Sequence, residues 1–568
     1  MKKIIITTGD PAGIGPEICS RQLRFHQLKK EVIYIVYGKL FTYHDGNNIE
    51  KISKLSKAKE PNKIYWIEID KPVIIGKPTK QSGKISYEIL KRCAKDILKN
   101  KIDAVVTCPI SKTAIQEIEK EFIGHTEFFA KASGSHDEIM TFWSKYFNLA
   151  LLTTHSSIKE IINSFDAKII EKKIKNIHKY INEHLTNPKI ALLSINPHSG
   201  ENGSFGDEDI VLEQILIHLS EENIIIDGPF PSDTFFYSKV RNYDFVISLF
   251  HDQGLIPFKM LAADHGVNVT LGIPFLRTSV DHGTAFDIAG KNIASEESFA
   301  NALFFAENTL LKTKFTDKII YNNFAKYYDK YMQHVDYNLW VEFILEKYFE
   351  VMKTKPKKIL EIACGTGNIC NKIAYKGYKI YGCDNSSEML KIAASKSNKV
   401  NYFWSDYKKE IQKTGFDFAI LLFDSINYCL TQKELLTTLR NVYKCLKENS
   451  LFIFDISTLK NCEDNFDGFV NLDESQDSYI IHQSHLDYEE STLTTSLTFF
   501  IKNNYLFERN DEVHIQHIYY AREVAQLVHR ANFELIGVFR LNSSENLIYD
   551  LDKEIDNKFT RLYFVLKK

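Results

Sequence analysis

Three histidines stand in polar, glycine-rich surroundings: TTHSS at His155, NPHSGENGSFG at His198 and FHDQG at His251. Neutral imidazole is a common protein ligand for divalent metals, and three protein ligands leave positions open for a substrate to be chelated and polarised. Each histidine alone also reads as a loop residue satisfied by hydrogen bonds. All three, however, follow short apolar runs that read as strands, NLALLTT, KIALLSIN and YDFVISLF. They are therefore expected at strand exits, where open α/β sheets bind ligands. Downstream of His251 come Lys259, Asn268 and Arg277, then DHGTAFDIAG at 281–290.

A different chemistry is written at 357–390, KKILEIACGTGNICNKIAYKGYKIYGCDNSSEML. An apolar run ends in CGTG, a helical pattern follows, and a second short strand closes on Asp384. Gly365 and Gly367 let the backbone turn sharply beside a ligand, and an acid at the end of the next strand can accept both hydroxyls of a ribose. A lone turn of this kind also serves as a plain strand-to-helix connection. Dinucleotide sites prefer GxGxxG so that a pyrophosphate reaches the helix N-terminus. Here Ala363 stands where the first glycine would be and Asn368 follows Gly367, which suits an adenosine cofactor without a pyrophosphate.

TTGDPAGIGPE near the start, TCPISKTA at 107–114, IGHTEFFA at 123–130 and the three histidine motifs together resemble the 4-hydroxythreonine-4-phosphate dehydrogenase family of vitamin B6 biosynthesis, over roughly the first 310 residues. The resemblance implies a two-lobed fold like isocitrate and isopropylmalate dehydrogenases. It also implies oxidation and decarboxylation of 4-phosphohydroxy-L-threonine with NAD or NADP and a divalent metal (Zn, Mg, Mn or Co). In that family the metal histidines come from two subunits, which maps to His155 and His198 of one chain and His251 of its partner in a homodimer. His125 and Thr126 match the substrate pair, and Lys259, Asn268 and Arg277 match residues gripping the phosphate and carboxylate end; two cations and an amide donor suit a dianionic phosphoester. Lys259, Asp252 and Asp233 are the acid/base candidates. Asp281, His282 and Gly283 are the NAD candidates. GDPAGIG at 9–15 lacks the lysine and hydroxyl of a P-loop and reads as a tight turn. GENGSFG after His198 and SSI after His155 depart from the family pattern, so a related phosphorylated hydroxy acid remains an alternative substrate.

E-x-x-C-G-T-G from Glu361, then Asp384 with Asn385, and Asp406 in YFWSDY resemble class I S-adenosylmethionine (SAM) methyltransferases. So do DSINY at 424–428, LFIFDIST at 451–458 and the lead-in FAKYYDKYM at 324–332. The resemblance implies a Rossmann-like domain in which Glu361, Gly365, Gly367, Asp384, Asn385 and Asp406 bind SAM and a small molecule is methylated. KENS at 447–450 departs from the family's usual turn. His514, Gln516, His517 and Tyr519 are acceptor-side candidates, with cross-strand pairs on a half-exposed sheet as their plainer reading. The alternative for this half is a non-catalytic module that binds a partner or steadies a dimer.

The chain of 568 residues, 44% hydrophobic, is too long for one core. An α/β dehydrogenase at 1–314 and a methyltransferase at 318–568 account for the length. The last amphipathic helix of the first enzyme is expected in ANALFFAENTLLKTK, with the join near 310–318. A formal charge of −2 gives no global field favouring nucleic acid or membrane. KKIKNIHK near 172–179 reads as a solvated helix face. Nine cysteines without CxxC spacing argue for a reducing compartment, and no run reaches the length of a membrane span or signal peptide, so a cytoplasmic location is expected.

Overall fold

The structure, a computed structural model, describes residues 1–43, 45–69, 71–100, 102–154, 156–262, 266–312, 324–475, 477–503, 506–551 and 555–568. His155 and the join at 313–323 lie outside the described residues. The chain divides into two compact units, one of Met1–Arg24, Leu28–Thr42 and Asn48–Thr316, the other of Phe25–Gln27, Tyr43–Asn47 and Asp317–Lys568. Among the described residues no helix is long and apolar enough to cross a membrane. All nine cysteines are buried and unpaired by disulfides.

The first unit is built on a twelve-stranded sheet. Across it the strands run Ile49–Lys51, Lys63–Glu68, Val32–Gly38, Lys2–Thr7, Ala104–Thr107, Leu276–Ser279, Val267–Leu271, Ile139–Trp143, Asn148–Leu151, Phe245–Ser248, Ile190–Leu193 and Asp227–Phe230. Val267–Leu271 and Ile139–Trp143 are antiparallel to each other and to their outer neighbours, while the pairs on either side are parallel. The two parallel halves therefore point in opposite directions, which is a two-lobed layout joined through its middle strands. Continuous burial, as in Val32–Gly38, is what helices on both faces of a parallel sheet require. The three apolar runs before the histidines form three adjacent strands, Asn148–Leu151, Phe245–Ser248 and Ile190–Leu193, paired in parallel.

The basic segment near 172–179 lies in helix Ala167–His184, which buries Ile170, Ile174, Ile177 and Ile181 and leaves its lysines outward. GDPAGIG forms a turn closed by Gly13 N–H donating to the Asp10 carbonyl at 3.1 Å. Gly9 has φ +71 and a Cβ there would meet the Pro109 carbonyl at 2.1 Å, so this position needs glycine.

The second unit carries a seven-stranded sheet in the order Asn401–Trp404, Ile380–Asp384, Ile359–Ile362, Phe416–Leu421, Leu446–Ser457, Arg561–Lys567, Glu534–Phe539. The first five strands are parallel, and Arg561–Lys567 is antiparallel to both its neighbours. Strand order reverses at Ile359–Ile362, which opens a crevice beyond its carboxyl end. KENS, read as a departure in the turn before a strand, is instead inside strand Leu446–Ser457, where Asn449 takes φ 55 and pairing with the neighbour shifts register. Asparagine tolerates that left-handed geometry better than most residues.

A four-stranded antiparallel sheet, Val470–Ser475, Ser478–Asp487, Thr492–Asn503 and Leu506–His517, is appended to this unit. Ile480, Leu497 and Phe499 from it pack with Phe324, Tyr327, Tyr328 and Tyr331, at the start of and within helix Ala325–Tyr331.

Candidate functional sites

His198 and His251 follow the ends of neighbouring strands. His198 lies in a run of three left-handed residues, His198, Ser199 and Gly200 (φ 54, 53 and 73). Asp209, buried at the start of helix Glu208–Glu221, holds this loop by accepting from the Ile195 and Asn196 amides at 2.7 and 2.9 Å. The His198 side chain is exposed. His251 opens helix His251–Ala262, with Nδ1 2.7 Å from the Asp252 carboxylate. A carboxylate there fixes the tautomer that leaves Nε2 with the lone pair, the usual arrangement behind a metal-ligating histidine. Gln253 locks the same turn, accepting from the Leu249 and Phe250 amides and donating to the Ser194 carbonyl and the Ser232 hydroxyl. The His251 imidazole with its carboxylate support has the donor chemistry a divalent metal takes.

Among the described residues one group of three potential ligand atoms lies within 4.8 Å, Glu171, His218 and Glu222 on the surface. Lys175 bridges both of its carboxylates at 2.8 and 2.7 Å, which accounts for it without an ion.

Lys259, on the His251 helix, sits 3.6 Å from the Asp281 carboxylate. Burial raises the Asp281 pKa, against the opposing charges of Lys259 and His251. Asp281 therefore stands beside the histidine and lysine, whereas His282 turns its Nδ1 to the Gly283 carbonyl at 3.1 Å. Asp252 and Asp233 are exposed, the first paired with His251.

The substrate-type residues converge. Antiparallel pairing sets Asn268 opposite Ser279 and Thr270 opposite Arg277, so alternation brings all four to one face. Arg277 is 3% exposed and donates to the hydroxyls of Thr126, Thr270 and Thr107 at 3.2, 3.0 and 3.0 Å. Loss of water lowers its pKa to about 10, partly offset by the charge of Glu127. His125, at the start of helix His125–Ser133, is held neutral by burial together with the charges of Arg277 and Lys112. His125 Nε2, Arg277 Nε and Asn268 Oδ1 are buried without a hydrogen-bond partner. Such orphaned groups are costly unless a ligand completes them. Thr107 and Thr270 belong to this cluster although sequence reasoning passed over them; a threonine in a strand carries no signal until a cation reaches it.

In the second unit one pocket lies beyond strand Ile359–Ile362 and brings together Glu361, Gly365, Asp384 and Asn385. Asp384 accepts from the Gly365 amide at 2.9 Å with one oxygen and from the Ser386 amide at 2.8 Å with the other. It therefore shapes the glycine turn as well as facing the pocket. Burial raises its pKa. Glu361 is 4% exposed with Oε2 lacking a partner, and burial, with the charge of Asp384 adding, pushes it up to about 8.

Two expected residues are not part of the pocket lining. Gly367 (φ +76) precedes helix Asn368–Tyr375, and a Cβ there would strike the Tyr402 hydroxyl at 2.3 Å. Asp406 turns to its own loop, accepting from the Lys408 amide at 3.0 Å and pairing with Lys409 at 3.3 Å; Tyr407 and Lys408 line the pocket in its place. Tyr328, Tyr337, Phe423 and Tyr428 also line it. Tyr328 lies in the lead-in run, but aromatic residues at helical spacing there read equally as core.

Of the acceptor-side candidates, His514 is buried with Nδ1 3.0 Å from the Tyr428 hydroxyl, and Gln516 donates to Asp424 at 2.6 Å. His517 packs edge-on against Tyr519. Tyr519 is a core residue, fully buried and donating to the Cys429 carbonyl at 2.5 Å.

Comparison with known proteins finds relatives for both units. The model described as "Pyridoxal phosphate biosynthetic protein PdxA" matches residues 26–306, and one described as "Methyltransferase domain" matches 359–449. The chain is 40% identical over 323 residues to the 4-hydroxythreonine-4-phosphate dehydrogenase of Aquifex aeolicus, covering 55% of this chain and 99% of that protein. It is 33% identical over 322 residues to the D-threonate 4-phosphate dehydrogenase of Salmonella typhimurium, covering 54% and 98%. A solved S-adenosylmethionine-dependent methyltransferase from Clostridium acetobutylicum aligns at 24% identity and a TM-score of 0.38, covering 44% of this chain and 99% of that one. The chain therefore belongs to the pyridoxal phosphate biosynthetic PdxA family through its first unit and carries a Rossmann-like methyltransferase domain in its second.

Proposed function

We propose that the chain is a bifunctional enzyme whose first unit oxidises and decarboxylates a 4-phosphorylated 3-hydroxy acid, and whose second methylates a small molecule from SAM. The observation that carries the first reading is the donor-rich cluster around Arg277. A buried cation whose hydrogen bonds run to hydroxyls, beside a neutral buried histidine with an orphaned nitrogen, fits an anionic phosphate or carboxylate group. To Lys259, which pairs with Asp281, we assign the taking and returning of a proton at the substrate hydroxyl oxygen. His198 and His251, with His155, would hold a divalent metal, which when bound supplies Lewis-acid polarisation of the hydroxyl and of the enolate left by loss of carbon dioxide. NAD or NADP would accept the hydride, with His282 and Gly283 the residues assigned to it. Asp281 we assign to the Lys259 side.

A homodimer with a shared metal site accompanies this reading. Ile256, Met260 and Leu261, on the helix that carries His251 and Lys259, are 60%, 76% and 39% exposed, an apolar face suited to a second copy.

The two relatives' substrates differ at C2, amino in 4-phosphohydroxythreonine and hydroxyl in D-threonate 4-phosphate. We assign the former as substrate, with the latter the related acid that the altered loops at Ser156, Ser157, Asn202 and Ser204 leave open. Reduced cofactor formed from each, followed by absorbance, decides between them. Rates preferring D-threonate 4-phosphate reverse the assignment, and activity with neither removes it.

For the second unit the supporting observation is the crevice at the strand-order reversal, where Gly365, Asp384, Asn385 and the buried Glu361, its Oε2 without a partner, meet. An acid there suits the cationic methionine end of SAM, and Asp384 with Asn385 the ribose. Calorimetry of SAM on the full chain tests this, and absence of binding favours a non-catalytic module.

A further inference from the structure

We propose that Tyr428, His514 and Glu512 form a proton relay that takes the proton from an N–H or O–H methyl acceptor in the second unit, a proposal that rests on the reading of this pocket as a SAM site. Tyr428 lines the pocket. Its hydroxyl is 3.0 Å from His514 Nδ1, and His514 Nε2 is 3.5 Å from Glu512 Oε2. Glu512 is anchored at its other oxygen by the Phe324 amide at 3.2 Å.

The strand that carries the relay is inverted. In Leu506–His517, Glu512 and His514 are 6% and 4% exposed, while Val513 and Ile515 are 50% and 41% exposed. A strand on an ordinary core turns its β-branched residues inward, and a slip of one residue would do so here. Two strands away in the same sheet, Ser478–Asp487 buries His482 and Ser484 between Ile480 and Leu486 on its inner face. Sheet stability gains nothing from this arrangement, since buried polar groups give at best a small net return. A chemical task at the inner face explains it.

Tyr428 is also held still. It ends the 3-10 turn Ser425–Tyr428, whose Asn427 donates to the Ser457 and His517 carbonyls at 3.1 and 2.9 Å. Lys408 donates to the Tyr428 carbonyl at 3.0 Å, and the Tyr407 hydroxyl donates to the Ser425 carbonyl at 2.7 Å.

The step balances as follows. The acceptor's lone pair forms the bond to the methyl carbon, the carbon–sulfur bond breaks, and its electron pair stays on sulfur as a neutral thioether. The acceptor's proton passes to the Tyr428 oxygen as the phenolic proton moves to His514 Nδ1. The positive charge lost by the sulfonium ends on the imidazolium, beside the Glu512 carboxylate. Tyr428 is the catalytic residue, and His514 and Glu512 act through it.

Among the described residues, the ionisable groups near His514 include Tyr428 on the turn, Glu512 on its own strand and His482 two strands away, the last itself hydrogen-bonded to Tyr331 of helix Ala325–Tyr331 at 2.7 Å. Glu512→Gln should lower kcat for methylation while leaving the KM for SAM unchanged, a split that a purely structural role would not give.

The test uses the full chain. Calorimetry reads SAM binding, nitrogen NMR reads the His514 tautomer, and S-adenosylhomocysteine formation is followed with ethanolamine and with catechol as probes. Expected are SAM affinity within about twofold of wild type in Tyr428→Phe, a Nε2–H tautomer at His514, and methylation slowed about a hundredfold in that variant. Equal rates in wild type and Tyr428→Phe, zero included, overturn the relay, as does a Nδ1–H tautomer. SAM binding absent from wild type defeats the underlying reading instead.

Discussion

The two sites of this chain are completed in different ways. In the first unit the proposed metal histidines stand just beyond strand ends, His198 exposed and His251 half-buried, while the anion-type cluster around Arg277 is deeply buried. In the second unit the glycine turn, Asp384, Glu361 and the tyrosines line one crevice of one fold. A site whose ligands sit on exposed turns is suited to completion by a second copy, whereas the crevice can act within a single chain. Inactivating one should therefore leave the other working.

The sharpest way to break that contrast is His251→Ala. Loss of a metal ligand should reduce dehydrogenase turnover by at least about a thousandfold while SAM affinity stays unchanged. Mixing it with His198→Ala should restore activity after subunit exchange, because one heterodimer interface then holds a full ligand set. No recovery after verified exchange would place the metal site within one chain.

Arg277→Lys comes next. A lysine keeps the charge but lacks the planar fork that reaches three hydroxyls at once. A loss of about 2–3 kcal/mol, roughly thirty- to more than a hundredfold in kcat/KM, is expected for the phosphorylated substrate. A variant with wild-type kcat/KM would remove Arg277 from the binding site.

Asp384→Ala should weaken SAM by about 1.5–3 kcal/mol, ten- to more than a hundredfold by calorimetry. The structure sharpens the expectation. Because Asp384 also holds the Gly365 and Ser386 amides, Asp384→Asn, which can keep only one of them with its carbonyl oxygen, should weaken SAM less than alanine does. Equal affinity in all three proteins would exclude the carboxylate from the site.

These sites were legible in the sequence to different depths. The apolar runs announced the strands before His155, His198 and His251, and KILEIA and KIYGCD became Ile359–Ile362 and Ile380–Asp384. Local periodicity and a polar stop suffice for that. Contacts made at long range were not legible. Nothing near Thr107 or Thr270 in the sequence announces Arg277, and nothing near Tyr428 announces His514, which is 86 residues away. Nor did the motif show that Gly367 packs against Tyr402 or that Asp406 bonds within its own loop. The inverted strand at 512–515 was visible only as alternation, and its polarity took meaning from which face is buried.

The smallest expected effect concerns Glu361 and is read through pH. Its carboxyl is buried with Oε2 lacking a partner, and burial raises its pKa from 4.5 to about 8 against hydrogen bonds from Cys370. The folded protein thus holds a proton there that the unfolded chain has released. Between about pH 4.5 and 8 the native state binds more protons at this site, so its contribution to stability is greatest below 4.5, falls as pH rises through that window and is level above 8. Glu361→Gln, which mimics the protonated form, should leave Tm unchanged near pH 4.5 and raise it by a few degrees at pH 8. In the wild type a cationic ligand must displace that proton, so SAM should bind more tightly as pH rises toward 8, by at most about tenfold per unit. The glutamine variant should lose that part of the dependence. Identical pH profiles of SAM affinity in the two proteins would show that the cationic end of the ligand does not meet Glu361.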